Sequence, residues 1–226
     1  MSMDCLGLLC LTLRTGAGIK STLDQYYGAN EHPVAYLDES FDLAHARTFY
    51  IVGLAVVKKE YLHNTRETLL DFYDREALHA APMYDRREDT TLRQATELVA
   101  RNHDGLDVVV CAPISGDDKT GEAARRRCLE YLLPKIQDEL QTGLFIFDKR
   151  NLMKQDEYVA SDLRRAKELS RDTIVYHCQP SEEPLLGLPD VLAWSYRQDY
   201  RGHPQWFDPM REKTEVKVLG APRRLI

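Results

Sequence analysis

Val34-Ala35-Tyr36-Leu37-Asp38-Glu39-Ser40, followed shortly by Thr48–Val57 (TFYIVGLAVV), is the stretch on which the reading of this chain turns. Its apolar residues run on without the polar alternation of a half-solvated strand, so both segments read as strands buried on two faces. Phe41–Arg47 between them is short enough for a hairpin, which pairs the two strands antiparallel.

Outward from the hairpin the period changes. Leu62, Thr65, Leu69, Phe72, Tyr73 and Glu76 step at three and four, the spacing of a helix, and Pro82 is expected to close it. Thr91–Asn102 reads as a second helix and Leu106–Ala112 as a buried strand. Lys119–Leu140 is helical again, with Pro134 expected to kink or split it. Leu144–Phe147 is a strand ending at Asp148, Asp156–Leu169 a charged helix, and Thr173–Cys178 a strand. Leu186–Tyr200 is the last main helix, with Leu188, Val191, Leu192 and Ser195 on one stripe, and Val216–Leu219 is a small edge strand. Strands that alternate with helices after an opening hairpin predict an α/β fold, a mixed sheet covered by helices. The expected division is a leader over residues 1–32, the main domain over 33–204 and a tail over 205–226.

The chain has 226 residues, 43% hydrophobic and 29% charged, which are globular values and exclude a disordered or fibrous protein. Thirty Lys+Arg against 36 Asp+Glu leave a net charge of −6. That is not the signature of a general nucleic-acid binder, although local basic patches decide contact. Five Cys with no Cys-x-x-Cys pair argue against a disulfide framework or a thiolate zinc site and make a reduced, cytoplasmic setting the default. Cys5–Leu13 (CLGLLCLTL) is apolar but far short of the ~20 residues of a membrane helix, and only Asp4 supplies charge before it, so no membrane role is expected. The leader reads as a loose segment, a partner-binding segment, or the product of an upstream start codon.

Three carboxylates sit where charge is costly. Asp38 follows the apolar part of the first strand, Asp148 ends LFIF, and Asp190 lies in the first turns of the last helix, in Leu188-Pro189-Asp190-Val191-Leu192-Ala193-Trp194. A charge beside a buried run must be paired, hydrogen-bonded or bound to a cation. Mg²⁺ or Mn²⁺ takes oxygen ligands, and two such ions ~3.5–4 Å apart activate a water and stabilise the leaving oxygen in phosphodiester cleavage. Pleating sends Asp38 and Glu39 to opposite faces, so Asp38 is the expected ligand and Glu39 a second one only where the strand breaks. Each residue also has a plainer account. Asp38 could cap its strand, Asp148 could pair with Lys149 and Arg150, Asp190 could face the helix dipole, and Glu39 could form a surface salt bridge. His79 is read either as a proton carrier or phosphate contact or as a helix-terminal histidine.

Tyr36-Leu37-Asp38-Glu39-Ser40 with the following TFYIVGLAVV strand resembles the opening of the domain-of-unknown-function family 3800, placed in the ribonuclease H-like superfamily. Leu78-His79-Ala80-Ala81, Phe147-Asp148-Lys149 and Leu188-Pro189-Asp190-Val191-Leu192-Ala193-Trp194 extend the likeness from about Val34 to Arg201. One departure is Pro189, where the family usually has Ala; proline suits a first helical turn. The resemblance implies a ribonuclease H-like fold with Asp38, Asp148 and Asp190 in one acidic cleft. It leads to a divalent-metal-dependent nuclease, with Glu39 or His79 assisting and nucleic acid, DNA or RNA left open, as partner. The alternatives are a non-catalytic interaction protein of a mobile element or defence system, and a phosphohydrolase acting on nucleotides. Arg125–Arg127 and Arg164–Arg165 read as solvated helix faces or as backbone contacts. Trp206-Phe207 points to docking of the tail onto the domain or onto a second copy, as in a homodimer. Trp194 and His177-Cys178 read as packing.

Overall fold

The computed structural model describes residues 22–42, 48–73, 77–101 and 105–220. The apolar run Cys5–Leu13, the hairpin loop 43–47, Glu76 and Asn102 lie outside the described residues. Strand β1 (Val34–Asp42) pairs antiparallel with β2 (Phe49–Val57), as the short connection between them predicts. Strands β3 (Asp107–Pro113), β4 (Leu144–Asp148), β5 (Ile174–Cys178) and β6 (Thr214–Val218) complete a sheet of order β5-β4-β1-β2-β3-β6. β2 runs antiparallel to both of its neighbours, whereas β1–β4, β4–β5 and β3–β6 are parallel.

Strand pleating sorts the core into two layers. Val34, Tyr36, Ile51, Ala55, Leu144 and Ile146 face one side, covered by helices α1 (Thr22–Ala29), α2 (Leu62–Phe72), α3 (Ala80–Asp85), α4 (Asp89–Arg101) and α7 (Gly187–Tyr200). Ala35, Leu37, Val52, Leu54, Phe145 and Phe147 face the other, covered by α5 (Glu122–Leu140) and α6 (Met153–Ala166). The result is an α/β fold: a mixed sheet that opens with an antiparallel hairpin and carries helices on both faces.

Several boundaries differ from expectation, for physical reasons. Helix α2 ends at Phe72, ahead of Pro82, and Pro82 instead lies in the first turn of α3, where a backbone N–H has no intrahelical acceptor to lose. Helix α5 is not split: it runs unbroken through Pro134. Proline inside a helix costs about 3 kcal/mol. Burying Leu132, Leu133 and Ile136 beside it returns about 1.5–3 kcal/mol each, so packing wins. Helix α6 starts and stops three residues before the expected span, ending where Lys167 adopts a left-handed φ of 65°. The edge strand begins at Thr214 and ends at Val218.

Helix α1 lies within the segment read as a leader, and its Leu23 packs into the core. The Tyr27 hydroxyl donates to Glu183, which also holds Arg66, and it shares a 2.8 Å hydrogen bond with the Tyr36 hydroxyl. Trp206 and Phe207 are buried, with the Trp206 ring 5.6 Å from Trp194, so the tail docks onto the domain. Among the described residues no helix is long and apolar enough to cross a membrane.

Candidate functional site

Asp38 is on the same face of the sheet as Val34 and Tyr36, and Asp148 on the same face as Leu144 and Ile146. That is the face α7 covers. Opposite Asp38 in the β1–β2 register stands Gly53. A Cβ there would lie 2.6 Å from the Pro189 carbonyl oxygen and 3.0 Å from the Ala193 Cβ. Glycine at this position lets the first turn of α7 lie against β2, and with it Asp190 reaches Asp38. A second glycine acts similarly: a Cβ on Gly187 would meet that of Leu78 at 2.9 Å. Bare backbone at Gly187 brings the Leu78-His79-Ala80 segment onto the α7 N-terminus, where the Ala80 N–H donates to Asp190 Oδ2 at 2.6 Å.

The carboxyls are therefore gathered by three separate elements. Asp38 and Asp190 stand close enough to act directly on each other, and Asp148 lies within electrostatic reach of both. Asp38 is only 9% exposed. Burial, then the charges of Asp190, Glu39 and Asp148, hold its pKa well above the usual carboxylate range. Burial likewise raises Asp190, against the opposing Ala80 N–H and His79, and raises Asp148, against the Lys149 N–H. His79, immediately before α3, is half-buried and close enough to act on both Asp148 and Asp190.

Glu39 takes the other face. Strand β1 stays regular to Asp42, so Glu39 points with Leu37 towards α5. There Arg125 Nη1 donates to its Oε2 at 2.5 Å, and Arg150 lies 3.6 Å from its Oε1. Arg125, itself buried, also binds Asp156 through both Nε (2.8 Å) and Nη2 (3.0 Å), and His177 Nε2 lies 3.0 Å from Asp156 Oδ2. Burial opposes ionisation of Asp156, but the hydrogen bonds of His177 and Arg125 outweigh it and pull its pKa down to about 2. The structure thus brings Asp38, Asp148, Asp190 and His79 together, and sets Glu39 behind them in a separate charge network.

Sequence reading left His177 as packing and missed Asp156, Gly53 and Gly187. Asp156 and its partner Arg125 are far apart in the chain, and neither belongs to a recognisable spacing. The glycines carry no chemistry, only space. The arginine clusters are largely committed within the chain: Arg126 to Glu130 and Asp162, Arg127 to the Gly220 carbonyl, Arg164 to the Thr173 carbonyl, and Arg165 to Asp162.

An oxygen-only donor set from three elements, in which burial and like charge disfavour ionised carboxylates, fits a hard divalent cation. Among the described residues no group of three or more His, Cys, Asp or Glu already stands close enough about one point to hold one.

No family model matches the chain, and no curated protein matches it. Among solved structures it is similar to ribonuclease H2 from Pyrococcus horikoshii OT3, at 9% identity and a TM-score of 0.47, over 85% of this chain and 82% of that one. It is similar also to Bst-RNase HIII in complex with Mn²⁺, at 11% identity and a TM-score of 0.43, over 81% of this chain and 54% of that one. A mutant of Bst-RNase HIII gives 12% identity, a TM-score of 0.44 and the same coverage.

Proposed function

We propose that this chain is a divalent-metal-dependent nuclease, a member of the domain-of-unknown-function family 3800, that hydrolyses phosphodiester bonds in DNA or RNA. The observation that carries the reading is the buried meeting of Asp38 and Asp190 with Asp148 beside them. Like charges are not gathered in a protein interior without compensation; Arg125 is engaged on the opposite face with Glu39 and Asp156, and Arg197 of α7 acts on Asp190 from the cluster's own side.

In this reading Asp38, Asp148 and Asp190 hold two Mg²⁺ or Mn²⁺ ions. Bound there, the ions supply Lewis acidity that lowers the pKa of water and offsets charge on the scissile phosphate. The chain's own residues do the rest. The Glu39, Lys149 and Ala80 amides orient the three carboxylates. His79 offers an imidazole at the rim for a proton or a phosphate oxygen.

The test is calorimetric titration of Mn²⁺ into metal-stripped protein, followed by cleavage assays on DNA and RNA. Asp38→Asn is expected to abolish both uptake and cleavage while the melting temperature holds or rises. Uptake unaffected by Asp38→Asn would sink the reading. The second reading, a non-catalytic interaction protein of a mobile element or defence system, draws on the carboxyls not yet standing about one point. It predicts no uptake even with a short oligonucleotide present.

A further inference from the structure

The ends of β1, β4 and β5 are held from the face opposite the carboxyl cluster. On β1, Glu39 is bound by Arg125, and the Glu39 N–H donates to Asp38 Oδ1 at 2.7 Å. On β4 the same pattern recurs. The Lys149 N–H donates to Asp148 Oδ1 at 2.7 Å, and the next residue, Arg150, binds Glu122 and the Tyr50 hydroxyl. On β5, His177 stands opposite Phe147 in the register and binds Asp156. Arg125 joins all of this: it holds Glu39 and Asp156 and lies 3.3 Å from the Tyr50 hydroxyl that Arg150 also reaches.

The Asp38 and Asp148 carboxylates are therefore each oriented by the amide that follows, and each following segment is fastened into one charge network centred on the buried Arg125–Asp156 pair. A buried ion network is often neutral or costly beside an apolar core of the same shape. What it supplies here is a fixed spacing between two strand ends and fixed peptide planes beneath two carboxylates.

We infer that Arg125, acting through Glu39, Asp156 and Arg150, is a positioning residue for the Asp38–Asp148–Asp190 centre, and that Glu39 serves the centre through this network, not as a ligand of it. The inference rests on the metal reading above. Partners lying behind metal ligands typically change metal affinity 10–100-fold when removed, and the network should act at this level.

The experiment measures Mn²⁺ affinity by calorimetry, and the Mn²⁺ electron paramagnetic resonance line shape, in wild-type protein, Arg125→Lys, Glu39→Gln and Asp38→Asn. Val99→Ala, a core substitution in α4, is the control for general loss of stability. Arg125→Lys keeps the charge but gives up the fork that spans Glu39 and Asp156, and Glu39→Gln keeps the shape and gives up the ion pair. Both should weaken Mn²⁺ binding about tenfold or more and broaden the line shape, with Val99→Ala unchanged in both. Should Arg125→Lys fail to fold, Glu39→Gln carries the test alone. Uptake in the wild type that Asp38→Asn abolishes, with Arg125→Lys and Glu39→Gln within twofold of wild type, would overturn the inference and leave the metal reading standing. Complete loss in Glu39→Gln, equal to that in Asp38→Asn, would make Glu39 a ligand and overturn it from the other side. No uptake by the wild type, with or without an oligonucleotide, would remove both.

Discussion

Asp38 turns its carboxyl to the α7 face, where burial and the charges of Asp190, Glu39 and Asp148 favour the protonated form. One residue on, Glu39 turns its own to a guanidinium on the opposite face. The pleat alone separates these environments. The consequence for mutation is asymmetric. Neutralising Asp38 relieves repulsion, whereas neutralising Arg125 leaves the buried Asp156 to His177 and the half-buried Glu39 to the more distant Arg150. Arg125→Met should therefore destabilise by about 3–5 kcal/mol, the cost of breaking a buried pair from one side, and urea unfolding checks it. A loss under about 1 kcal/mol would mean that water reaches the network and screens it. Tyr27 offers a milder case. Its hydroxyl donates to Glu183, which keeps Arg66 and the Leu185 N–H in its absence, so Tyr27→Phe should cost about 1–3 kcal/mol in the same assay. No loss would mean that α1 contributes little to the domain through this contact.

Between elements the decisive contact is α7 on β2. The Pro189 carbonyl lies 2.6 Å from where a Gly53 Cβ would be, and backbone cannot swing aside as a flexible side chain does. Gly53→Ala should push the first turn of α7 off the sheet and cost about 1–3 kcal/mol, the range for overpacking. It should also carry Asp190 away from Asp38 and lower Mn²⁺ affinity. Full affinity in a folded Gly53→Ala variant would show that α7 can move without moving the site. This contact marks the limit of what sequence can disclose. The hairpin, the central strands and the candidate carboxylates are legible because apolar runs, helical spacing and misplaced charge are local patterns. Gly53 is silent, since its role exists only once Pro189 and Ala193 arrive from far along the chain. The Arg125–Asp156–His177 network is silent for the same reason: its partners come from α5, α6 and β5. Pro82 misled because proline reads as a stop, although the first turn of a helix tolerates it.

Across the whole molecule the sheet separates Asp156 on one face from the Asp38 cluster on the other, and the two have opposite proton linkage. Asp156, at about 2, binds its proton more weakly folded than unfolded, so its contribution is present above the unfolded value near 4 and is lost as pH falls through it towards 2. Asp38, raised by burial and like charge, binds its proton more tightly folded than unfolded. Its penalty is absent at low pH and grows as pH rises from about 4 towards its folded value. The metal-stripped protein should therefore be most stable at mildly acid pH and decline on both sides. The two limbs should separate by mutation. Asp38→Asn should flatten the decline towards neutral pH and leave the acid limb in place. Asp156→Asn should lower stability most near neutrality and lose much of that deficit by pH 2. Mn²⁺ should abolish the alkaline-side decline in the wild type and leave Asp38→Asn unmoved, because a cation satisfies the charge that the variant lacks. Urea titrations from pH 3 to pH 8, in chelator and in Mn²⁺, measure all of this together. An alkaline-side decline of equal slope in wild type and Asp38→Asn would place the repulsion elsewhere and remove the electrostatic ground for a cation at this cluster.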